Sequence, residues 1–268
     1  MRLAVVSDIH GNLPALQAVA AEIAHAGVDA VWNLGDIASG PLWPAETCAW
    51  LMSPQASGWH TIRGNHERQV LAARSGMGAS DAYAADRLGE AARRWLARLP
   101  ATAPFADGRG LACHGTPTSG LRYLLETVTP DFGRDGSRGV RRASASEVAE
   151  RVEDPGGPVD ARTDVVLCGH SHQPRVLQAR GCLLVNPGSL GLPAFDDTHP
   201  HYQCIETGSP HARWAVVERT AAGWQAQLRC TASDWTAAAR QAERAGRGDW
   251  ADALAPGFVG RTEAEILH

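Results

Sequence analysis

Lysine is missing altogether: all 25 basic residues are arginine. That excludes a lysine Schiff base, a pyridoxal-phosphate site and a Walker-type phosphate loop, each of which needs an ammonium at a fixed place. Cysteine is sparse. Cys48, Cys113, Cys168, Cys182, Cys204 and Cys230 show no Cys-x-x-Cys spacing, and several sit in apolar runs, so they read as buried free thiols of an intracellular chain. Long hydrophobic runs are also lacking. Leu3–Val6 is too short for a signal-peptide core, and no stretch approaches the ~20 residues of a membrane span. The expectation is a cytoplasmic protein without a membrane partner. Charge of one sign is not in excess either: the net charge is −4, which argues against binding nucleic acid or a membrane surface through bulk charge. What is present is an ordinary globular chain of 268 residues, 44% hydrophobic, enough to bury a core.

The order of elements points to an α/β fold. Leu3–Ser7, Ala30–Leu34 and His60–Arg63 read as strands, separated by helical patterns at Leu13–Ala26 and Ala45–Met52. This β-α-β-α-β order favours parallel strands with crossover helices. Gln69–Leu99 reads as mostly helical, Gly110–Cys113 as strand, and Gly115–Arg142 as loop. Ser144 with Glu147 reads as a capping box opening a helix to Val152. Val165–Cys168, Arg175–Gln178, Cys182–Val185, Arg213–Glu218 and Trp224–Leu228 are strand candidates, the last two as an exposed hairpin. Ser233–Ala245 reads as a closing helix. One domain over 1–268 is expected, with a helical and loop insert around 67–160 and a helical tail over 233–268. The hairpin and tail leave room for pairing between copies.

Five of the apolar segments run into metal-ligand residue types. They are Val5-Val6-Ser7-Asp8-Ile9-His10, Trp32-Asn33-Leu34-Gly35-Asp36, Ile62-Arg63-Gly64-Asn65-His66, Leu111-Ala112-Cys113-His114 and Val166-Leu167-Cys168-Gly169-His170-Ser171-His172. In an α/β sheet such tips converge at the carboxyl ends of parallel strands. Asp8/His10 and His170/His172 are i,i+2 pairs, which extended geometry places on one face. Carboxylate, amide and imidazole donors without thiolate suit a borderline-hard divalent ion such as Mn, Fe, Ni, Co or Zn. Seven donors exceed what one catalytic ion with an open position takes, but suit two ions that share a carboxylate.

Asp8-Ile9-His10-Gly11-Asn12, Gly35-Asp36, Gly64-Asn65-His66-Glu67, His114-Gly115 and Gly169-His170-Ser171-His172 resemble the blocks of the calcineurin-like metallophosphoesterases. Asn186-Pro187-Gly188-Ser189 and Gly191-Leu192-Pro193 resemble its small bacterial and archaeal phosphodiesterase–phosphatase branch. The resemblance covers roughly residues 1–230. It implies a four-layer αββα sandwich, with two mixed β-sheets back to back and helices outside. It implies two divalent ions, manganese first among the candidates: Asp8, His10 and His172 on one, Asn65, His114 and His170 on the other, and Asp36 bridging. It further implies attack of a metal-bridging hydroxide on the phosphorus of a small phosphorylated substrate, with His66 protonating the leaving oxygen or stabilising the transition-state charge. Asn12 and Glu67 would orient ligands and His66, and Arg122 and Tyr123 would touch substrate.

The chain departs from part of the family. Ile37-Ala38-Ser39-Gly40-Pro41 follows Gly35-Asp36 where protein Ser/Thr phosphatases and symmetrical dinucleoside tetraphosphatases carry Asp-Arg-Gly. A protein-phosphatase reading is weakened accordingly. The other readings are a binding scaffold on the same fold, such as a retromer subunit, a dinucleoside-polyphosphate hydrolase, and a nuclease. Arg134, Arg138, Arg141 and Arg142 read as a solvated loop placed where it would reach over the crevice to hold a second phosphate. His25, His60, His199, His201, His211 and His268 are expected to be structural or solvent-facing.

Overall fold

The computed structural model describes residues 1–72, 75–154 and 156–267. The first strand shows the logic of the whole architecture. β1 (Arg2–Val6) sends Leu3 and Val5 to one face and Ala4 and Val6 to the other, and all four are buried. Leu3 and Val5 join an apolar layer shared with Leu167, Leu183 and Val185 of a second sheet, whereas Ala4 and Val6 pack under helices. A strand apolar on both faces must lie between two layers.

The chain alternates β1, α1 (Leu13–Ala24), β2 (Ala30–Asn33), α2 (Pro44–Leu51) and β3 (Trp59–Thr61), and β1, β2 and β3 pair in parallel. α3 (Asn65–Leu71), α4 (Ala79–Arg87) and α5 (Glu90–Arg98) follow, and with α1 and α2 they cover the outer face of this sheet. Of the 69–99 stretch read as helical, residues 73 and 74 lie outside the described residues. β4 (Thr102–Phe105) and β5 (Gly110–Cys113) open the second sheet. A two-stranded ribbon of β6 (Glu126–Val128) and β7 (Val140–Arg142) comes next, then α6 (Ala145–Val152), β8 (Val165–Leu167), β9 (Arg175–Ala179) and β10 (Cys182–Asn186). The second sheet runs β4-β5-β8-β10-β9, with parallel pairs in its middle and antiparallel strands at both edges. α6 covers its outer face through Val148 and Val152. β11 (Ala194–Asp197) and β12 (Gln203–Glu206) form a small ribbon. β13 (Ala212–Thr220) and β14 (Gly223–Thr231) return to the first sheet, ordered β14-β13-β1-β2-β3. α7 (Trp235–Arg244), α8 (Gly248–Leu254) and α9 (Glu263–Leu267) close the described chain. The result is four layers, helices–sheet–sheet–helix, with both sheets mixed.

Several sequence expectations are corrected. Within the 67–160 stretch read as helical and loop, β4 and β5 are strands of the second sheet. Gly115–Arg142 is not all loop, since it holds β6 and β7. β13 is no exposed hairpin arm: it lies between β1 and β14 with Trp214, Ala215, Val216 and Val217 buried, so of the hairpin's two strands β14 alone lies at a sheet edge. β4 escaped notice because Pro104 breaks a strand pattern, and it is tolerated here because β4 is an edge. Among the described residues, no helix is long and apolar enough to cross a membrane.

Candidate metal centre

The five segments meet at one edge of the sandwich, where the parallel strands end. Their loops are fastened to one another by backbone hydrogen bonds: Asp8 N to Gly35 O at 3.0 Å, His10 N to Asp36 O at 2.9 Å, and Gly169 N to His114 O at 2.7 Å. The backbone turns sharply at the candidate ligands themselves. Asp8, His10, Asp36, His170 and His172 have φ of 56°, 51°, 53°, 66° and 54°. This left-handed region costs an L-residue about 1 kcal/mol, and its clustering marks a centre that the surrounding structure over-determines. Two glycines are required by close approach. A Cβ on Gly64 would lie 2.1 Å from Asp36 Oδ1, and one on Gly169 would lie 1.9 Å from Ser7 Oγ.

Ligand atoms of Asp8, His10 and His172 lie within 4.8 Å of one another, as do those of Asp36, His114 and His170. Each of these imidazoles has one ring nitrogen committed to a backbone carbonyl: His10 Nδ1 to Ser39 O (2.9 Å), His114 Nδ1 to Leu34 O (2.8 Å), His172 Nδ1 to Leu192 O (2.8 Å), and His170 to Leu121 O. These bonds fix the rings and leave the Nε2 atoms of His10, His114 and His172 facing inward. His10 Nε2 and His172 Nε2 then stand 3.1 Å apart, with Asp8 Oδ1 3.5 Å from the latter. His114 Nε2 lies 2.9 Å from Asp36 Oδ2 and 3.1 Å from Asn65 Oδ1. Asn65 Nδ2 donates to Gln69 Oε1, which turns its amide oxygen toward the group. Opposed lone pairs and carboxylates buried together repel one another unless a cation lies among them, so the donor set fits two divalent ions.

The electrostatics agree. Burial pushes His10 down to about 4 and, with the charge of His114, His170 down to about 3; burial and His10 likewise lower His172, so all three are neutral donors at pH 7. Asp8 is pushed up to about 7 by burial and by the neighbouring Asp36 carboxylate. Burial alone would raise Asp36, but His114 and His66 hold it well below the usual carboxylate range. His114 rises to about 9 and His66 to about 10: burial opposes both shifts, and the charge of Asp36 overcomes it.

Glu67 does more than orient a neighbour. Its carboxylate accepts from Asp36 N (2.9 Å), Ile37 N (2.7 Å) and Gly64 N (2.7 Å), which binds the second and third ligand loops together. Asn12 caps α1 through Ala15 N at 3.2 Å and donates to Gly191 O at 2.8 Å, so its part is to hold loop backbone. Tyr123 is buried with its ring 4.8 Å from that of His170, whereas the exposed Arg122 pairs with Glu150 at 3.1 Å. Arg138 and Arg141 are paired with Glu206 and Glu147, so these two of the four loop arginines are engaged with carboxylates. His60 stacks on Trp32 and His199 is exposed, as expected; His268 lies outside the described residues.

Sequence reading missed Asp81. Its Oδ1 accepts from His66 Nδ1 at 2.8 Å, and the residue is 5% exposed. Sitting in the first turn of a short helix fifteen positions after His66, it resembles any acid placed to suit a helix N-terminus. Trp250 was missed as well: its ring stands 5.8 Å from that of His10.

Comparison with known proteins adds three findings. Residues 1–209 match the family model described as the calcineurin-like phosphoesterase superfamily domain. A metallophosphoesterase from Sphaerobacter thermophilus superposes with a TM-score of 0.68 at 22% identity, covering 96% of this chain and 99% of that one. A hypothetical protein from Pyrococcus horikoshii superposes with a TM-score of 0.72 at 18% identity, covering 97% and 99%. No curated protein matches the chain.

Proposed function

The chain belongs to the calcineurin-like phosphoesterase superfamily and is a metal-dependent phosphoric ester hydrolase, and we propose that its substrate is a small phosphorylated molecule bearing a phosphodiester or phosphomonoester, nucleotides being the first class to test. The observation that carries this reading is the inward convergence of ligand atoms from Asp8, His10 and His172 beside Asp36, Asn65, His114 and His170. Asp8, His10 and His172 would hold one cation, Asn65, His114 and His170 the other, and Asp36 both. A bound pair supplies Lewis acidity toward phosphoryl oxygens and a nucleophile at neutral pH, the role for which manganese is our first choice.

The remaining steps belong to the chain's own side chains. Asp81 takes the Nδ1 proton of His66 in a hydrogen bond, so Nε2 is the ring nitrogen free to work. His66 donates from Nε2 to the leaving oxygen, and Asp81 stabilises its charged form. Buried walls contributed by Tyr123 and Trp250 keep bulk water from the ring faces of His170 and His10, which strengthens every charge interaction inside.

The test is a panel of chromogenic aryl phosphodiesters, cyclic nucleotides, nucleotides, dinucleoside polyphosphates and sugar phosphates, each with Mn, Fe, Ni, Co or Zn. Turnover dependent on added metal is the expected result. Two ions bound per chain with no turnover of any ester would favour the binding-scaffold reading instead.

A further inference from the structure

The C-terminal helices lie beyond the matched residues 1–209, yet they reach the metal centre. Trp250 of α8 fills the space above Gly40, where a Cβ would lie 2.6 Å from the indole Cη2, and its ring stands at 72° to that of His10. Just before α8 sits Arg247, only 4% exposed. Its Nε donates to Asp249 at 2.9 Å, its Nη2 to Asp249 at 2.5 Å and Glu263 at 2.6 Å, and its Nη1 to Ser80 Oγ at 2.9 Å.

Ser80 stands in the first turn of α4, and the residue before that helix, Gly78, supplies no side-chain cap. The start of α4 is therefore fixed from outside. Ser80 Oγ receives Arg247, Ser80 O receives Gly40 N at 3.2 Å, and further along Tyr83 OH receives Gln241 of α7 at 3.3 Å. The next residue after Ser80 is Asp81, the partner of His66. Adjacent residues of a helix share one rigid backbone, so the position of Ser80 sets that of Asp81, and Asp81 sets the ring of His66.

We infer that Arg247 is a positioning residue for His66, acting through Ser80 and Asp81, so that the C-terminal segment is a working part of the active site. A planar guanidinium fork buried among fixed acceptors is suited to this, because it holds direction as well as charge. The inference rests on the hydrolase reading above.

The experiment uses the full-length, manganese-loaded chain and the variants Ser80→Ala and Arg247→Lys, each also combined with His66→Ala. Ser80→Ala removes one hydroxyl and leaves the Arg247–Asp249 pair intact, so it serves should Arg247→Lys fail to fold. Two phosphodiesters are compared: an aryl ester, whose phenolate leaves unaided, and an alkyl ester, whose alkoxide needs a proton. Misplacing a catalytic group by about 1 Å costs up to about 10²-fold, so kcat for the alkyl ester is expected to fall by about tenfold or more in either variant. KM, bound metal and aryl-ester turnover should stay near parent values, and the variants should cost nothing further in the His66→Ala background. A readout independent of turnover is the His66 Nδ1 proton resonance of the zinc-loaded chain, zinc being diamagnetic where manganese would erase the signal; it should move upfield or broaden in Ser80→Ala as the bond to Asp81 loosens. Equal loss on both esters, additive loss with His66→Ala, or an unmoved Nδ1 resonance would overturn the inference. A parent inactive on both esters would refute the hydrolase reading instead, with the resonance still deciding whether Arg247 and Ser80 govern His66.

Discussion

Replacing Glu67 by Gln changes one terminal atom of a side chain that is 1% exposed, yet three backbone amides depend on that carboxylate. Oε2 accepts from both Asp36 N and Gly64 N, and Oε1 accepts from Ile37 N. A glutamine amide has one accepting oxygen. With that oxygen at the Oε2 position, its NH2 faces the N–H of Ile37, and the opposite orientation leaves two amides without acceptors. At least one charged-acceptor hydrogen bond, worth about 1.5–3 kcal/mol, is lost, and a buried donor is stranded at a cost of about 1–3 kcal/mol. The two overlap, so a net destabilisation of about 2–4 kcal/mol is expected. For a chain of this size that lowers the melting midpoint by roughly 5–15 °C. Because the same amides fix the Asp36 and Gly64 loops, cation affinity should fall about 10–100-fold. Calorimetry of the metal-free protein in chelator, followed by metal titration, reads both quantities. A midpoint within about 1 °C of the parent would show that the three-amide clamp is not what holds these loops together.

Gly64→Ala forces a methyl group to within 2.1 Å of Asp36 Oδ1, so elemental analysis should show loss of the paired cations while circular dichroism stays that of the parent. In the bare protein His114 sits at about 9, so at about pH 7.5 an incoming cation must displace its proton. Calorimetric titration in buffers of different ionisation enthalpy should then report net proton release, with affinity rising as pH climbs toward 9; no release would contradict the assigned ligand. His66 and His114 have folded pKa values of about 10 and 9, above the ordinary 6.5. Their stabilisation of the metal-free fold is therefore present below about 6.5 and lost as pH rises through 9 to 10, and a melting midpoint higher at pH 10 than at pH 7 would refute the sign. His66→Ala should keep its metal and lose about 10²–10⁴-fold on esters with poor leaving groups; parent-like hydrolysis of an alkyl phosphodiester would remove His66 from its role.

Much of the centre was legible in the sequence because Asp8, Asp36, His114 and His170 each follow closely on an apolar strand, so one short segment holds both the scaffold signal and the chemistry. The i,i+2 pairs could be read as sharing a face, and Asp8/His10 and His170/His172 do contribute to the same clusters. Three kinds of feature lay beyond such reading. Strands β4, β11 and β12 are four residues each; β4 carries a proline and β11 is mostly half-buried, so no apolar alternation stands out. Long-range partners such as Asp81 and Arg247 are ordinary helix-terminal charges until the fold brings Ser80 against one and His66 against the other. Glu67 was visible as a neighbour of the ligands, but no spacing in the chain announces that its carboxylate closes on amides thirty residues upstream.

The left-handed backbone at Asp8, His10, Asp36, His170 and His172 has a practical consequence for anyone engineering this enzyme. Glycine is the residue most at ease at such angles, so a library screened only for survival after heating should enrich glycine at these positions. The survivors would be tougher proteins with no capacity to hold a cation. Any campaign to harden the scaffold therefore has to score catalysis in the same round, since the residues it would most readily discard are the ones proposed to hold the cations.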